Sequence, residues 1–267
     1  MKGIHFIAGV PRSGSTLLCN ILNQNPEFTA TNTSVLPELV GTMTRVMSSS
    51  PEIQALLAED GDGTQKRVQD MLRAMIGSWY PEDKIVFDKS RGWTFQALLI
   101  ADLYPDAKFI ITVRDLRNVF ASIEKQHRKT AMFDLAQDPN SKTILSRADM
   151  MFSPGGMIGQ CVVGLEDIIA RTPERLFVIN YEALSHDPAT HISELYEFLD
   201  LPEFKHSFKN IKNVSKEHDE LYLNKFPHQG SGTVKKTNRN EWKEYITPDL
   251  AEMIHARYPN YNSAFGY

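Results

Sequence analysis

The chain has 267 residues, a formal net charge of −4, 42% hydrophobic and 23% charged residues, values that indicate an ordinary globular protein of one α/β domain. The slightly acidic balance argues against a broad nucleic-acid-binding surface. Two cysteines, Cys19 and Cys161, do not suffice for a disulfide framework, and no apolar run approaches the roughly 18 residues that span a bilayer.

Short apolar runs alternate with helical patterns along the whole chain. Strands are predicted at about 3–8, 84–88, 108–113 and 175–180. Helices are predicted at about 15–24, 35–48, 64–78, 93–103, 116–128, 157–171, 188–199 and 248–257. Because strands that alternate with helices form right-handed crossovers, this order predicts a single α/β domain over 1–267. Its central sheet would have four to five mostly parallel strands, covered by helices on both faces.

The first strand leads into the segment Gly9-Val10-Pro11-Arg12-Ser13-Gly14-Ser15-Thr16, which an apolar helix follows. A strand, a glycine-bounded turn and a helix N-terminus direct backbone N–H groups at one phosphate-sized anion. The segment nearly matches the ATP-binding loop G-x-x-x-x-G-K-[ST], but Ser15 takes the place of the Lys and the cation is Arg12. It therefore predicts a site for a different phosphoanhydride; the alternative is a strand-to-helix turn with a surface Arg.

Two later strands also end in charged residues. Ile85-Val86-Phe87 ends in Asp88-Lys89-Ser90, and 108–113 runs into Arg114 and a helix with apolar spacing. Arg114 and Ser122, eight positions further on, are placed to bind one anion from two sides, since Arg presents a planar fork of donors. A solvated turn Lys and a strand-end Arg paired with a nearby carboxylate are the alternatives.

The last strand and a late basic segment complete the candidate residues. The strand at 175–180 is followed by Tyr181-Glu182-Ala183-Leu184, and Lys235-Lys236-Thr237-Asn238-Arg239-Asn240-Glu241-Trp242-Lys243 forms a basic loop before a Trp. A core tyrosine and a solvated basic turn are the alternatives. Residues 12, 89, 114 and 181 each lie just past a predicted strand. Because ligands of parallel sheets bind beyond the strands' carboxyl ends, these four side chains are expected in one site.

The segment 11–18, Pro-Arg-Ser-Gly-Ser-Thr-Leu-Leu, resembles the 5′-phosphosulfate loop of sulfotransferases, which use 3′-phosphoadenosine-5′-phosphosulfate (PAPS). Its Arg form looks most like tyrosylprotein sulfotransferases and their bacterial relatives. The resemblance implies a P-loop NTPase-like three-layer sandwich. It also implies the following nucleotide-binding residues: Arg12, Ser13, Gly14, Ser15 and Thr16 for the phosphosulfate, Arg114 and Ser122 for the 3′-phosphate, Tyr181 beside the nucleotide, and Lys235 and Lys236 in a closing loop.

The same resemblance implies catalytic roles for Arg12 and Lys89, with Lys89 offsetting charge that develops on the leaving phosphate. The match fails at the general base. Tyrosylprotein sulfotransferases have a Glu just before a Val-Ile-Pro-like segment, whereas 31–34 (Thr-Asn-Thr-Ser) precede Val-Leu-Pro at 35–37 here. Glu38 is the remaining candidate base; the alternative is a Glu that favours the N-terminus of its helix.

The implied reaction is transfer of a sulfuryl group from PAPS to an acceptor hydroxyl, such as a tyrosine, a sugar, a lipid or a small alcohol or phenol, or to an amine. No metal is expected, because the histidines lack metal-ligand spacing. Two alternatives remain open: a catalytically silent PAPS-binding or nucleotide-binding module, and an ATP-dependent P-loop kinase for small molecules. Ser15 in place of the Lys, together with the Arg114 and Ser122 pair, argues against the kinase.

Two irregular stretches, 127–160 and 213–232, are candidate acceptor-binding lids. The first carries Met and Phe beside Pro and Gly, with a helical hairpin that has its own small core as the alternative. The second contains His218, Tyr222 and His228. Golgi sulfotransferases are membrane-anchored and often disulfide-bonded, whereas this sequence enters its first strand at once, so a cytoplasmic location is expected.

Overall fold

The fold is built on a sheet of five parallel strands, seen in a computed structural model that describes residues 1–137, 141–213, 218–222, 227 and 230–267, apart from the side chains of 131–137 and 222. The strands are β1 (Gly3–Gly9), β2 (Phe28–Ala30), β3 (Ile85–Lys89), β4 (Phe109–Val113) and β5 (Leu176–Asn180). They lie side by side in the order β2-β3-β1-β4-β5, and every neighbouring pair is parallel. The predicted parallel sheet is confirmed.

Helices cover both faces of this sheet. Before β4 they are α1 (Ser15–Leu22), α2 (Leu36–Ser49), α3 (Pro51–Glu59), α4 (Gly61–Ser78) and α5 (Ala97–Leu103). After β4 they are α6 (Leu116–Gln137), α7 (Ile144–Phe152), α8 (Met157–Arg171), α9 (Tyr181–His186), α10 (Pro188–Phe198), α11 (Pro248–Arg257) and α12 (Pro259–Phe265). Short 3₁₀ turns lie at Arg91–Phe95, Pro173–Arg175, Asp219–Tyr222 and Glu241–Glu244.

Alternation of side chains along the strands divides the core into two layers, as the period of two requires. Phe6 of β1 and Phe109 of β4 belong to a large cluster that α2, α4, α5, α6, α7, α8, α11 and α12 complete. Ile7 and Ile110, the next residues along, belong to a smaller cluster with α1, α9 and α10 on the opposite face. Two helical layers around one sheet give the predicted three-layer sandwich.

Elements that prediction missed are short or lack an apolar stripe. The edge strand β2 has three residues, too few to show a period. Helix α3 buries none of its side chains, so its sequence has no apolar spacing from which a helix could be predicted. The helix predicted at 93–103 is divided, because Gln96 has non-helical angles between the 3₁₀ turn and α5. Helices α7, α9 and α12 were likewise not predicted.

The stretch 127–160 is mostly helical. It contains the end of α6, all of α7 and the start of α8, while 138–140 lie outside the described residues. Phe152 and Ile158 are buried in the large cluster, so the hairpin of α7 and α8 packs into the main core and does not form a separate one. The role of 127–160 as an acceptor-binding lid stays a prediction.

Other whole-chain features concern cysteines, metals and membranes. Cys19 and Cys161 are both buried and unbridged. Within the described ranges, acidic, histidine and cysteine side chains form no group of three that would suit a metal ion. None of the helices described above combines the length and apolar character that crossing a bilayer requires.

Acidification is expected to destabilise the fold through His5. This ring lies in β1 against Phe87, its Nδ1 accepts a hydrogen bond from the Lys108 backbone N–H (3.2 Å), and burial, with the Lys108 charge second, lowers its pKa to about 4. The unfolded chain therefore binds a proton more readily than the folded chain, and stability falls from pH 6.5 down to 4. Between pH 7 and pH 5 the loss attributable to His5 should be about 2 kcal/mol in urea titrations.

His5→Asn is the matched control, since its side-chain oxygen keeps an acceptor near the position of Nδ1 without titrating. This variant should lose clearly less stability between pH 7 and pH 5 than the native protein. An equal pH dependence in both proteins would assign the acid sensitivity to other groups.

Candidate active site

A cleft of about 540 Å³ opens where the carboxyl ends of the strands meet. Its walls come from every central strand end, from the segment after β2, from α6 and from the late basic segment. The lining residues are 10–12, 14–17, 32–34, 89–91, 114, 122, 125, 126, 129, 181, 227, 237 and 241. The volume and position are those of a pocket for a nucleotide-sized ligand at the edge of a parallel sheet.

The structure brings most of the predicted site residues into this one cleft. The cleft-lining members of the predicted set are Arg12, Gly14, Ser15, Thr16, Lys89, Arg114, Ser122 and Tyr181. They come from parts of the chain that are far apart in sequence, so their convergence is a property of the fold. Their roles in binding stay predictions, because geometry gives proximity and not occupancy.

Four predicted residues are placed elsewhere. Ser13 turns its hydroxyl inward, where it donates to the Val10 carbonyl oxygen (2.6 Å) and lies 2.6 Å from the Thr112 hydroxyl, so only its backbone N–H is left for an anion. Glu38 is exposed on the first turn of α2 and does not line the cleft. Its position is that of the alternative, a Glu that favours the N-terminus of its helix. The side chains of Lys235 and Lys236 are exposed outside the lining.

The candidate lid 213–232 is only partly described. The Pro227 carbonyl oxygen accepts a hydrogen bond from Arg12 Nη1 (3.1 Å), which brings this segment to the cleft. His218 is exposed beside Glu220, with 2.8 Å between Nδ1 and Oε1. The Tyr222 side chain and His228 lie outside the described residues.

Backbone geometry sets the shape of the loop between β1 and α1. Gly9 has a φ of 138°, and a Cβ there would lie 2.1 Å from the Thr112 carbonyl oxygen, so only glycine lets β1 leave the sheet this close to β4. Gly14 has a φ of 86° and contacts the Tyr181 ring, which a Cβ would approach to 2.3 Å. Arg12 is also left-handed, with a φ of 60°. The loop is therefore a strained turn held at both ends by glycines.

Arg114 is the buried cation at the centre of the cleft. Its Nη1 donates to the Arg12 carbonyl oxygen (3.1 Å), its Nη2 donates to Glu241 Oε2 (3.3 Å), and its guanidinium lies 4.8 Å from the centre of the Tyr181 ring. Among the described residues, its buried Nε has no hydrogen-bond partner. A buried donor without a partner is costly, so this edge of Arg114 is suited to an anion.

Arg12 and Ser122, predicted for two different phosphate positions, contact each other. Arg12 Nε donates to Ser122 Oγ (3.2 Å) across 110 residues of sequence. Burial, with the neighbouring Arg114 charge second, lowers the pKa of the Arg12 guanidinium. The two predicted anion positions are therefore adjacent, and an anion near Arg12 would relieve repulsion between the two guanidinium groups.

Lys89 lies beside a buried acidic group. The Asp88 carboxylate accepts hydrogen bonds from Trp93 Nε1 (2.7 Å), from Ser34 Oγ (2.9 Å) and from the Tyr80 hydroxyl. Burial raises the pKa of Asp88, and these three hydrogen bonds oppose that rise. Because the network joins β3 to the segment before α2, it fixes the strand end from which Lys89 enters the cleft.

Sequence reasoning identified Ser122 on α6 but missed Lys125, Lys129 and Glu241. Ser122, Lys125 and Lys129 follow helical spacing on one face of α6, and all three line the cleft. Glu241 Oε1 accepts a hydrogen bond from Lys125 Nζ (3.0 Å), and this contact raises the pKa of Lys125. The spacing on α6 was a usable signal, whereas the pairing with Glu241 spans 116 residues and had none.

The described part of the cleft wall is strongly cationic. Its basic side chains are Arg12, Lys89, Arg91, Arg114, Lys125 and Lys129, and Glu241 is its one carboxylate among the residues that the structure describes. In a protein with a net charge of −4 this is a local concentration of positive charge. The cleft is therefore built for a ligand with several negative charges.

Comparisons with known proteins agree with this geometry. The sequence model described as "Sulfotransferase family" matches residues 5–206. Among curated proteins, the chain is similar to protein-tyrosine sulfotransferase A of Caenorhabditis elegans, with 25% identity over 201 residues, covering 74% of this chain and 50% of that protein. The chain thus spans about half the length of the curated relatives it matches.

Solved structures show a similar fold. The sulfotransferase domain of the Synechococcus PCC 7002 olefin synthase has a TM-score of 0.55 at 20% identity, covering 94% of both chains. A mouse sulfotransferase complexed with PAP has a TM-score of 0.57 at 13% identity, covering 98% of this chain and 84% of that one. At these identities the likeness concerns the fold.

Gly14→Ala tests the loop geometry. The substitution strains a φ of 86° and drives a methyl group into the Tyr181 ring, so the free energy of unfolding should fall by about 2–3 kcal/mol in urea titrations. Gly232→Ala is the control, because its φ of 96° brings the same strain and a Cβ there meets nothing within 4 Å. The control should lose only about 1 kcal/mol. Equal losses would mean that the Tyr181 contact does not constrain the loop.

Proposed function

This chain belongs to the sulfotransferase family, and from that membership we propose that it transfers a sulfuryl group from PAPS to an acceptor hydroxyl. The observation that carries the proposal is the convergence of Arg12, Lys89, Arg114 and Ser122 in one cationic cleft at the carboxyl edge of the sheet. PAPS carries negative charge at both its 5′-phosphosulfate and its 3′-phosphate. The adjacent cations of the cleft match that distribution.

The residues present fit the donor. The buried Nε of Arg114, which lacks a hydrogen-bond partner within the described ranges, is a donor suited to a phosphate oxygen. Tyr181, held against Gly14 and Arg114, offers an aromatic surface at the same wall. Ser15 and Thr16 begin α1, where unpaired backbone N–H groups and hydroxyls favour the phosphosulfate. Solved sulfotransferase-fold structures in complex with PAP, which is 3′,5′-adenosine bisphosphate, support this choice of nucleotide.

Positioning and electrostatics would supply most of the catalysis. In the proposed reaction the acceptor oxygen forms a bond to sulfur in line with the bond from sulfur to the 5′-phosphate oxygen, which breaks. The acceptor proton passes to water, and 3′,5′-adenosine bisphosphate leaves. Lys89, at the end of β3, would offset charge on the leaving phosphate, and Arg12 would bind the sulfuryl group while it is transferred.

A phenolic acceptor, including a peptide tyrosine, suits the cleft best. Glu38 does not line it, and Glu241 is paired with Arg114 and Lys125, so among described residues no unpaired carboxylate faces the acceptor. A phenol has a pKa of about 10 and needs less help from a base than an alcohol does. Similarity to protein-tyrosine sulfotransferases supports the same choice.

A cytoplasmic location stays a prediction.

Nucleotide binding is the direct test. At a hundredfold excess over Kd, 3′,5′-adenosine bisphosphate should stabilise the protein by about 2.7 kcal/mol, a rise in Tm of roughly 5 °C, whereas 5′-AMP and ATP should give smaller shifts. Arg114→Ala and Arg114→Lys should both lose the shift, because Lys keeps the charge but not the fork. The unliganded Tm of each variant is the control for folding.

A shift with ATP alone would favour the P-loop kinase, and a shift with neither nucleotide would overturn the proposal. A tight bisphosphate complex without turnover on a broad acceptor panel would support the silent binding module.

Lys89→Met should separate catalysis from binding. Sulfuryl transfer from ³⁵S-labelled PAPS to 4-nitrophenol or to a tyrosine peptide is expected to fall about a hundredfold, because the leaving phosphate loses its cation. The affinity for 3′,5′-adenosine bisphosphate should change far less. Lys129→Met, which also removes a cation from the cleft wall, is the matched control and should retain most activity. A parallel loss of binding and transfer in Lys89→Met would make Lys89 a binding residue only.

A further inference from the structure

The Glu241 carboxylate bridges two cations inside the cleft. Its Oε2 accepts a hydrogen bond from Arg114 Nη2 at 3.3 Å, and its Oε1 accepts one from Lys125 Nζ at 3.0 Å. Arg114 is buried, and the Lys125 side chain is about half exposed. The ion pair with Arg114 therefore lies deeper in the cleft than the ion pair with Lys125.

The contact between Arg114 and Glu241 is a poor match compared with other Arg–carboxylate pairs of this protein. Arg147 uses Nε and Nη2 together to bind Glu124, at 2.7 and 2.6 Å, and both side chains are nearly buried. Arg117 binds Asp115 through the same two nitrogens, with 2.7 Å at Nη2. At Arg114 the equivalent two nitrogens are poorly used: Nη2 makes one long contact, and the buried Nε has no partner in the part of the chain that the structure describes.

An anion that presents two oxygens side by side would fill this edge completely. On the other side, Nη1 already donates to the Arg12 carbonyl oxygen and the plane stacks on Tyr181, so Nε marks the edge with an unfilled donor. A phosphate that binds both Nε and Nη2 would lie against Glu241 Oε2, which is 3.3 Å from Nη2, and like-charge repulsion would push the carboxylate away from Arg114. Lys125 still holds Oε1, so the displaced carboxylate keeps a partner.

We propose that Glu241 is a specificity-determining residue that competes with the 3′-phosphate of the nucleotide for the Nε and Nη2 edge of Arg114. The inference rests on the proposed function, since it assumes that a 3′-phosphorylated nucleotide enters this cleft. Glu241 lowers affinity for every ligand that must displace it. A nucleotide without a 3′-phosphate leaves the ion pair in place and experiences the charge of Glu241 only from a greater distance.

The test compares Glu241→Gln with Glu244→Gln by isothermal titration at constant ionic strength. Glu244 is exposed in the same 3₁₀ turn, so its substitution changes the net charge equally on the same element. Removing the carboxylate charge close to a phosphate should tighten binding of 3′,5′-adenosine bisphosphate about tenfold. Binding of 5′-AMP should tighten much less, and Glu244→Gln should behave like the native protein with both nucleotides.

The affinities of the two nucleotides distinguish failure of this inference from failure of the proposed function. Unchanged or weaker binding of the bisphosphate to Glu241→Gln, with an unliganded Tm equal to that of the native protein, would overturn this inference and leave the proposed function standing. An equal gain for the bisphosphate and 5′-AMP would also overturn it, because the effect would then not involve the 3′-phosphate. If the native protein and both variants bind neither nucleotide, the proposed function fails and the inference fails with it.

Discussion

The candidate active site depends on the alignment of three parallel strand ends. Ile7 of β1 pairs with Lys89 of β3, and Gly9 pairs with Thr112 of β4, so all three strands stop at the same edge. The close approach at Gly9 lets the chain turn away from β1 directly over β4. In consequence, cations that follow different strands are concentrated in one cleft.

Arg114 gives this edge its particular shape. It is buried, yet it reaches the carbonyl oxygen of the loop, the ring of Tyr181 and the carboxylate of Glu241 at once. A lysine in its place would supply one charge and no planar fork. The difference from an ordinary ATP-binding loop thus lies at two residues: Arg12 is the cation of the loop, and Arg114 lies beside it with its buried Nε directed into the same cleft.

Strand ends and their cations were predictable because each central strand is a buried apolar run that stops at a charged residue, as at Lys89 and Arg114. The parallel sheet followed from the alternation of strands and helices. Side-chain direction was not predictable: Ser13 points inward because the left-handed Arg12 rotates the chain before it. Glu241 escaped notice because its partner Arg114 lies 127 residues away and pairing over that distance leaves no local pattern.

The left-handed backbone of Arg12 places function and stability in opposition at one position. A residue with a side chain in this conformation costs about 1 kcal/mol, and the Arg12 guanidinium is also buried next to the Arg114 charge. A search for thermostable variants would therefore favour replacing Arg12, and would remove the loop cation along with the strain. A gain in stability from a substitution at this position would come with loss of the loop cation. Engineering of this protein for stability should therefore begin in regions remote from the cleft, such as the exposed face of α3.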